Sequence, residues 1–192
     1  MTGDPPVVVM GVSASGKSTL AEALATERGA EYVDADDLHP EANVRKMSAG
    51  MPLDDADRMP WLDVVGARLA RPGGNVVIAC SALKRSYRDR LRAEAPDAVF
   101  VHLHGDREAL LLRAAQRPGH FMPAALLDSQ IATLEALQPD EGGLVVDIGM
   151  PVADAVERIE SWLGARYARS SLHASSLPVN GRLVRSGSAD PL

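Results

Sequence analysis

The sequence predicts an α/β fold, a five-stranded parallel sheet with helices on both faces. Two observations carry that prediction. Five short apolar runs alternate with segments of helical periodicity, the pattern of strand–helix–strand crossovers whose strands are buried on both faces. The composition is also that of an ordinary globular chain, with 46% hydrophobic and 24% charged residues among 192. A chain of that size can bury a core without disulfides or structural metals. No run approaches the roughly 20 apolar residues of a membrane helix, so no membrane partner is expected.

The elements follow in order. Val7–Met10 is a β-rich run ending at Gly11. Residues 18–28 read as a helix, with Leu20, Ala23 and Leu24 on one face and Gly29 as its stop. Residues 31–33 read as the second strand, ending in Asp34. Residues 60–69 read as a helix opened by Pro60. Gly73-Gly74-Asn75 then turns into a third strand at 76–80, and a helix over 83–95 stops before Pro96. A strand at 98–103, a helix at 107–116, a last strand at 144–148 and a last helix at 152–163 complete the pattern. Crossovers in such a sheet are right-handed, and ligands bind outside the carboxyl ends of its strands.

The domain is expected to span residues 1–164. Residues 165–192 carry four Arg, one Asp and six Ser, and read as a flexible C-terminal tail. The net charge is −6, and the tail accounts for +3, leaving −9 on residues 1–164. An acidic domain argues against a nucleic-acid partner. The start, Met-Thr-Gly-Asp-Pro-Pro, lacks a basic segment followed by an apolar one, so no secretory signal is expected. The single cysteine, Cys80, cannot form an internal disulfide, and no Cys/His spacing fits zinc. These features favour the cytoplasm, which is the expected location.

Gly11-Val12-Ser13-Ala14-Ser15-Gly16-Lys17-Ser18 fits G-x-x-x-x-G-K-[ST], between a predicted strand and a predicted helix. Backbone N–H groups of such a loop turn inward around a phosphate, and the helix N-terminus adds partial positive charge. Lys17 reaches the β- and γ-phosphates and the Ser18 hydroxyl can ligate Mg²⁺. Ala14 is expected to have an ordinary negative φ. The loop predicts a nucleoside triphosphate site shared by switches, ATPases and small-molecule kinases. The guanine-reading Asn-Lys-x-Asp is absent, and a compact kinase needs only an acceptor pocket and a lid.

Asp34 and Asp36 end the second strand, and their spacing puts both on one side of an extended chain. Asp36 is the candidate base for an attacking hydroxyl and Asp34 the metal-side residue, with Asp147 as its competitor. Arg45 and Lys46, Arg58, and Lys84 and Arg85 are candidates for an anionic acceptor. Arg88 and Arg92 read as a solvated face of the helix over 83–95. Arg113 and Arg117 share a helix face ahead of Pro118-Gly119-His120-Phe121-Met122-Pro123, an arrangement suited to a lid that closes on triphosphate.

Several of these segments resemble the gluconokinase family. The resemblance rests on residues 11–19, on Asp34–Pro40 with Asn43 and Lys46-Met47, and on Pro52-Leu53 with Asp57-Arg58 and Trp61-Leu62. Cys80–Tyr87 and Gly119–Pro123 with Leu127-Ser129-Gln130 extend it to most of the domain. It implies a P-loop kinase fold with a mobile lid, like that of nucleoside monophosphate and shikimate kinases. It also implies phosphorylation of D-gluconate at the 6-hydroxyl by ATP with Mg²⁺, and a homodimer. On it, Gly11, Ser13, Ala14, Ser15, Gly16, Lys17, Ser18 and Thr19, with Arg113, Arg117 and Pro151, are assigned to the nucleotide. Lys17, Asp36 and Arg117 are assigned to catalysis, Ser18 and Asp34 to the metal. Asp36, His39, Lys46, Arg58, Lys84, Arg85 and His120 are assigned to gluconate. Ala14 stands where the family usually has Gly, and the tail has no counterpart there. Transfer is expected to be in line, without a phosphoenzyme. Another small-acid kinase such as shikimate kinase is the first alternative, although Gly-Gly-Gly expected after its third strand is replaced here by Cys-Ser-Ala-Leu-Lys. A non-catalytic nucleotide-binding module is the second.

Overall fold

A computed structural model describes residues 4–49, 51–73, 75–116 and 124–174, the last six by backbone alone. The elements are β1 (Val7–Met10), α1 (Lys17–Arg28), β2 (Glu31–Asp34), α2 (Glu41–Ser48), α3 (Asp55–Leu69) and β3 (Val76–Ala79). They continue with α4 (Arg85–Glu94), β4 (Val99–His104), α5 (Arg107–Ala115), α6 (Ala124–Thr133), β5 (Gly143–Asp147) and α7 (Val152–Ala174). Short 3₁₀ turns lie at Ala35–Leu38 and Pro139–Glu141.

The five strands form one parallel sheet in the order β2-β3-β1-β4-β5. The predicted architecture is therefore the observed one. All residues of β1 and β3, and Val99–Leu103 of β4, are buried, as strands covered on both faces must be. Val8, Met10, Ile78 and Phe100 share a core with Trp61, Leu62, Val65 and Leu69 of α3 and Tyr87 and Leu91 of α4. The alternate residues Val7, Val9 and Val77 point to the other face, where α1 packs on β1, β2 and β3 through Leu20 and Leu24. Each buried aliphatic side chain contributes about 1.5–3 kcal/mol.

The sheet reverses its direction of growth at β1, flanked by β3 on one side and β4 on the other. A crevice opens outside the strand ends at such a switch point. The loop after β1 therefore occupies the position where this topology binds ligands.

Two helix boundaries differ from expectation by more than two residues. α3 begins five residues before Pro60, because Asp54 and Asp57 form a reciprocal capping box that nucleates the helix earlier. The last helix continues through Gly164 to Ala174; the residues around that glycine are good helix formers, and one Gly costs only about 1 kcal/mol. The described residues through Ile159 hold the sheet, and those from Glu160 to Ala174 belong to a second unit. Of the flexible tail expected over residues 165–192, residues 165–174 lie in α7 and residues 175–192 lie outside the described residues. Finally, α2 and α6 were not expected. Leu127, Ile131 and Leu134 follow helical spacing, and Leu127 is fully buried.

Candidate active site

The loop 11–18 leaves the buried end of β1 and closes on the N-terminus of α1. Gly11 has φ +144°, and a Cβ there would stand 2.8 Å from the Leu103 carbonyl oxygen. Gly16 caps α1 at φ +93°. The expectation of an ordinary φ at Ala14 is corrected: its φ is +62°. The chain reverses there, and a left-handed residue turns successive N–H groups to one side, as an anion cradle requires. A side chain in that conformation costs about 1–2 kcal/mol. Lys17 folds back over the loop, its Nζ donating to the Val12 carbonyl at 3.0 Å.

Asp34 and Ser18 come together, with Ser18 Oγ donating to Asp34 Oδ2 at 3.1 Å. Tyr32 donates its phenol to the same oxygen at 3.3 Å. A hydroxyl and a carboxylate at this spacing are hard oxygen donors, which fits Mg²⁺, an ion usually held by one or two carboxylates plus substrate phosphates. Among the described residues no group of three or more His, Cys, Asp and Glu could hold a metal. Asp147 ends β5, where its Oδ1 accepts from the Gly149 amide at 2.7 Å.

The two acids do not share one side of an extended strand. The chain turns into a 3₁₀ helix at Ala35, because Asp34 Oδ1 caps it by accepting the Asp36 amide at 3.1 Å. Asp36 is consequently presented at the strand tip with its side chain 82% exposed. His39 lies behind it, stacked on Trp61 with 4.2 Å between ring centroids and its side chain 4% exposed.

Most of the cations assigned to the acceptor already hold carboxylates. Lys46 Nζ contacts both oxygens of Asp57 at 2.5 and 2.7 Å. Lys84 contacts both oxygens of Asp55 at 2.8 and 2.9 Å. Arg85 forks onto Asp140 at 2.9 and 2.6 Å. Hydrogen bonds from Lys46 and Lys84 hold Asp57 and Asp55 below the usual carboxylate range. Arg45 pairs with Glu41 on the exposed side of α2. Arg58 differs: it donates Nε to the Leu53 carbonyl at 3.3 Å and lies 5.9 Å over the Tyr87 ring. It has no carboxylate partner among the described residues.

On the other flank of the loop, Arg113 of α5 donates to the carbonyls of Ser15, at 3.5 Å, and Ile148. It borders a cleft of about 120 Å³ that Gly16, Thr19, Ile148, Met150 and Val152 also line. Pro151 lies between two of these lining residues. Arg117 and His120 fall at 117–123, outside the described residues.

Two features escaped the sequence reading. The Ser13 amide donates to Gln130 Oε1 of α6 at 2.7 Å, across 117 positions of sequence. Arg88, expected on a solvated face, is instead fully buried and paired with Glu141. Arg92, expected to be solvated too, donates to the Glu141 carbonyl at 2.9 Å. Arg88 stands three residues before Leu91 and seven before Ala95, on the inward face of α4. That register was the available signal. Cys80 is buried, and burial pushes its thiol up to about 12, so it is no nucleophile.

Comparison with known proteins bears on the acceptor. A family model described as an AAA domain matches residues 7–137. The chain is 44% identical over 155 residues to the thermosensitive gluconokinase of Escherichia coli K12, covering 79% of this chain and 83% of that one. It is 51% identical over 138 residues to the gluconokinase of Gluconobacter oxydans 621H, covering 70% and 78%. The crystal structure of a gluconokinase from Sinorhizobium meliloti 1021 superposes with a TM-score of 0.81 at 47% identity, over 91% of this chain and 98% of that one. A shikimate kinase from Acinetobacter baumannii superposes at 0.57 with 18% identity, over 84% and 94%, a likeness of fold alone.

Proposed function

The chain belongs to the gluconokinase family, and from that premise we propose that it transfers the γ-phosphoryl group of ATP to the 6-hydroxyl of D-gluconate, giving ADP and 6-phospho-D-gluconate. For the phosphoryl half, the carrying observation is the meeting of Ser18 and Asp34 at 3.1 Å beside the loop amides. For the acceptor, it is 44–51% identity to gluconokinases over most of the chain.

The reaction asks little covalent chemistry of the protein. The loop amides and Lys17 cradle the β- and γ-phosphates, while Thr19, Arg113 and the Pro151 turn border the nucleotide. The gluconate O6 attacks the γ-phosphorus in line as the bond to the β–γ bridging oxygen breaks and its electron pair stays on ADP. Asp36, exposed at the tip of β2, takes the proton from O6. Ser18 and Asp34 are the residues to hold Mg²⁺, which when bound neutralises charge on the β- and γ-oxygens. Arg58 is the residue to hold the substrate carboxylate, because its guanidinium has no carboxylate of its own among the described residues. Lys46, Lys84 and Arg85 act less directly, by fixing Asp57, Asp55 and Asp140 around the acceptor side. Arg117 and His120 retain their proposed lid roles, Arg117 on the transferred group and His120 near gluconate. We also propose a homodimer and a cytoplasmic setting, where ATP is regenerated.

The test is a panel of gluconate, other sugar acids and shikimate, with ADP release as the readout. Gluconate should turn over with Mg²⁺ and ATP far faster than the rest. Rapid turnover of shikimate alone, or ATP binding without acceptor-dependent ADP release, would overturn the reading.

A further inference from the structure

His39 is almost wholly buried, yet it stands 4.0 Å from the exposed carboxylate of Asp36, Nε2 to Oδ1. Two contacts fix its ring. Trp61 stacks on it, with 15° between the planes, and is itself anchored by its indole N–H to the Ala35 carbonyl at 2.7 Å. Asn43 of α2 places Nδ2 3.3 Å from His39 Nδ1 and donates the same Nδ2 to the Asp57 carbonyl at 2.9 Å.

Those contacts also determine the tautomer. The Asp57 carbonyl only accepts, so the Asn43 amide must present its nitrogen on that side. The second N–H of that nitrogen then points at His39 Nδ1, which must accept. A neutral imidazole accepting at Nδ1 carries its proton on Nε2, the nitrogen facing Asp36. Burial lowers the His39 pKa from 6.5, with Asp36 acting to raise it and Arg58 to lower it. The ring is therefore neutral, with one N–H, near pH 7.

We propose that His39 is a positioning residue whose Nε2–H holds the Asp36 carboxylate in the one orientation that receives the acceptor proton. The proposal rests on the reading of Asp36 as the base. An 82% exposed aspartate has several rotamers open to it, and a base must sit within hydrogen-bond reach of the proton it takes. A small rotation of Asp36 closes the 4.0 Å gap. The carboxylate then keeps its second oxygen for the substrate hydroxyl, while the ring, clamped by Trp61 and Asn43, cannot follow it.

Two substitutions separate the roles of this ring. His39→Phe keeps the stack on Trp61 and removes the N–H. His39→Gln loses the stack and keeps an N–H donor at the same reach. Positioning predicts that His39→Phe lowers kcat by about 10- to 100-fold, the scale of a misplaced catalytic group, with KM for ATP and gluconate within about twofold. It also predicts that His39→Gln recovers most of that kcat despite a lower melting temperature. In an Asp36→Ala background, His39→Phe should cause no further loss, since the group it orients is gone. If His39→Phe keeps wild-type kcat, or if His39→Gln is the slower of the two, the stack is all that matters and the inference fails. A rise in gluconate KM at constant kcat would make His39 a substrate contact instead, and also overturns it. If Asp36→Ala alone retains near-normal turnover, the base reading falls and this inference with it, whereas loss in Asp36→Ala beside an unaffected His39→Phe rejects only the inference.

Discussion

Arg88 and Glu141 face each other with neither side chain exposed, Nε to Oε1 at 2.6 Å and Nη2 to Oε2 at 2.8 Å. The remaining Arg88 nitrogen, Nη1, donates to the carbonyls of Ala82 and Leu83, at 3.2 and 3.1 Å. One guanidinium thus joins the turn after β3, which carries Lys84, to the 3₁₀ turn before β5. Burying a charge pair is tolerable only when nearly every donor and acceptor is satisfied, as here.

Removing one member should be costly. Arg88→Met leaves the buried Glu141 carboxylate with the Gln138 amide at 2.8 Å and with Arg92, at 3.2 Å, as its remaining cation, and should destabilise the fold by about 3–5 kcal/mol. Arg88→Met with Glu141→Leu removes both charges and should recover much of that loss. Urea unfolding of the wild type and the two variants measures both. A single variant as stable as wild type would show that the pair contributes nothing to the fold.

Acid should destabilise the protein in two stages. Burial holds the His102 imidazole down to about 4 from 6.5. The unfolded chain therefore takes up that proton first, and stability is lost as pH falls from about 6.5 toward 4. Burial pushes Glu141 up, but its hydrogen bonds with Arg88 and the Gln138 amide outweigh that and bring it to about 2 from 4.5. Its stabilisation is full above 4.5 and disappears as pH approaches 2. From pH 7 to pH 5 the His102 step should cost about 1–2 kcal/mol. His102→Phe should flatten the urea midpoint between those pH values; a drop equal to that of wild type would exonerate His102.

Ala14→Gly should relieve the left-handed residue of the phosphate loop. The relief of about 1–2 kcal/mol is offset in part by roughly 0.5–1 kcal/mol of added chain entropy. A net gain of about 1 kcal/mol should appear as a melting temperature a few degrees higher, with no rise in KM for ATP. A lower melting temperature would mean that packing of the methyl group outweighs the strain.

The sheet and the phosphate loop were legible because their signals are local. Eight contiguous residues, 11–18, specify the loop, and uninterrupted apolar runs mark the central strands. Pairings across long separations were not. Lys84 finds Asp55 across 29 positions and Arg85 finds Asp140 across 55, so cations that look available in sequence are already engaged in the fold. Asp36 misled for a different reason: its neighbour caps a 3₁₀ turn, and the period of two ends at Asp34. Arg88 reads as solvated from its charge, whereas its register with Leu91 sets it on the buried face of α4.

The bond from the Ser13 amide to Gln130 supplies the last prediction. Gln130 Oε1 sits 2.7 Å from a loop nitrogen, so a charge placed on that side chain stands beside the proposed triphosphate site. Gln130→Glu keeps an acceptor for the amide and adds a negative charge, while Gln130→Ala removes the contact without adding one. Repulsion between unit charges 4 Å apart is worth about 4 kcal/mol at an effective dielectric constant of 20, and less at greater separation. Gln130→Glu should therefore raise KM for ATP by about 10-fold or more, with gluconate KM little changed, and Gln130→Ala should raise it less. Steady-state kinetics at fixed free Mg²⁺ reads the difference. Equal ATP KM values in the two variants would place the triphosphate away from Ser13, and with it the orientation of the loop toward α6 would have to be redrawn.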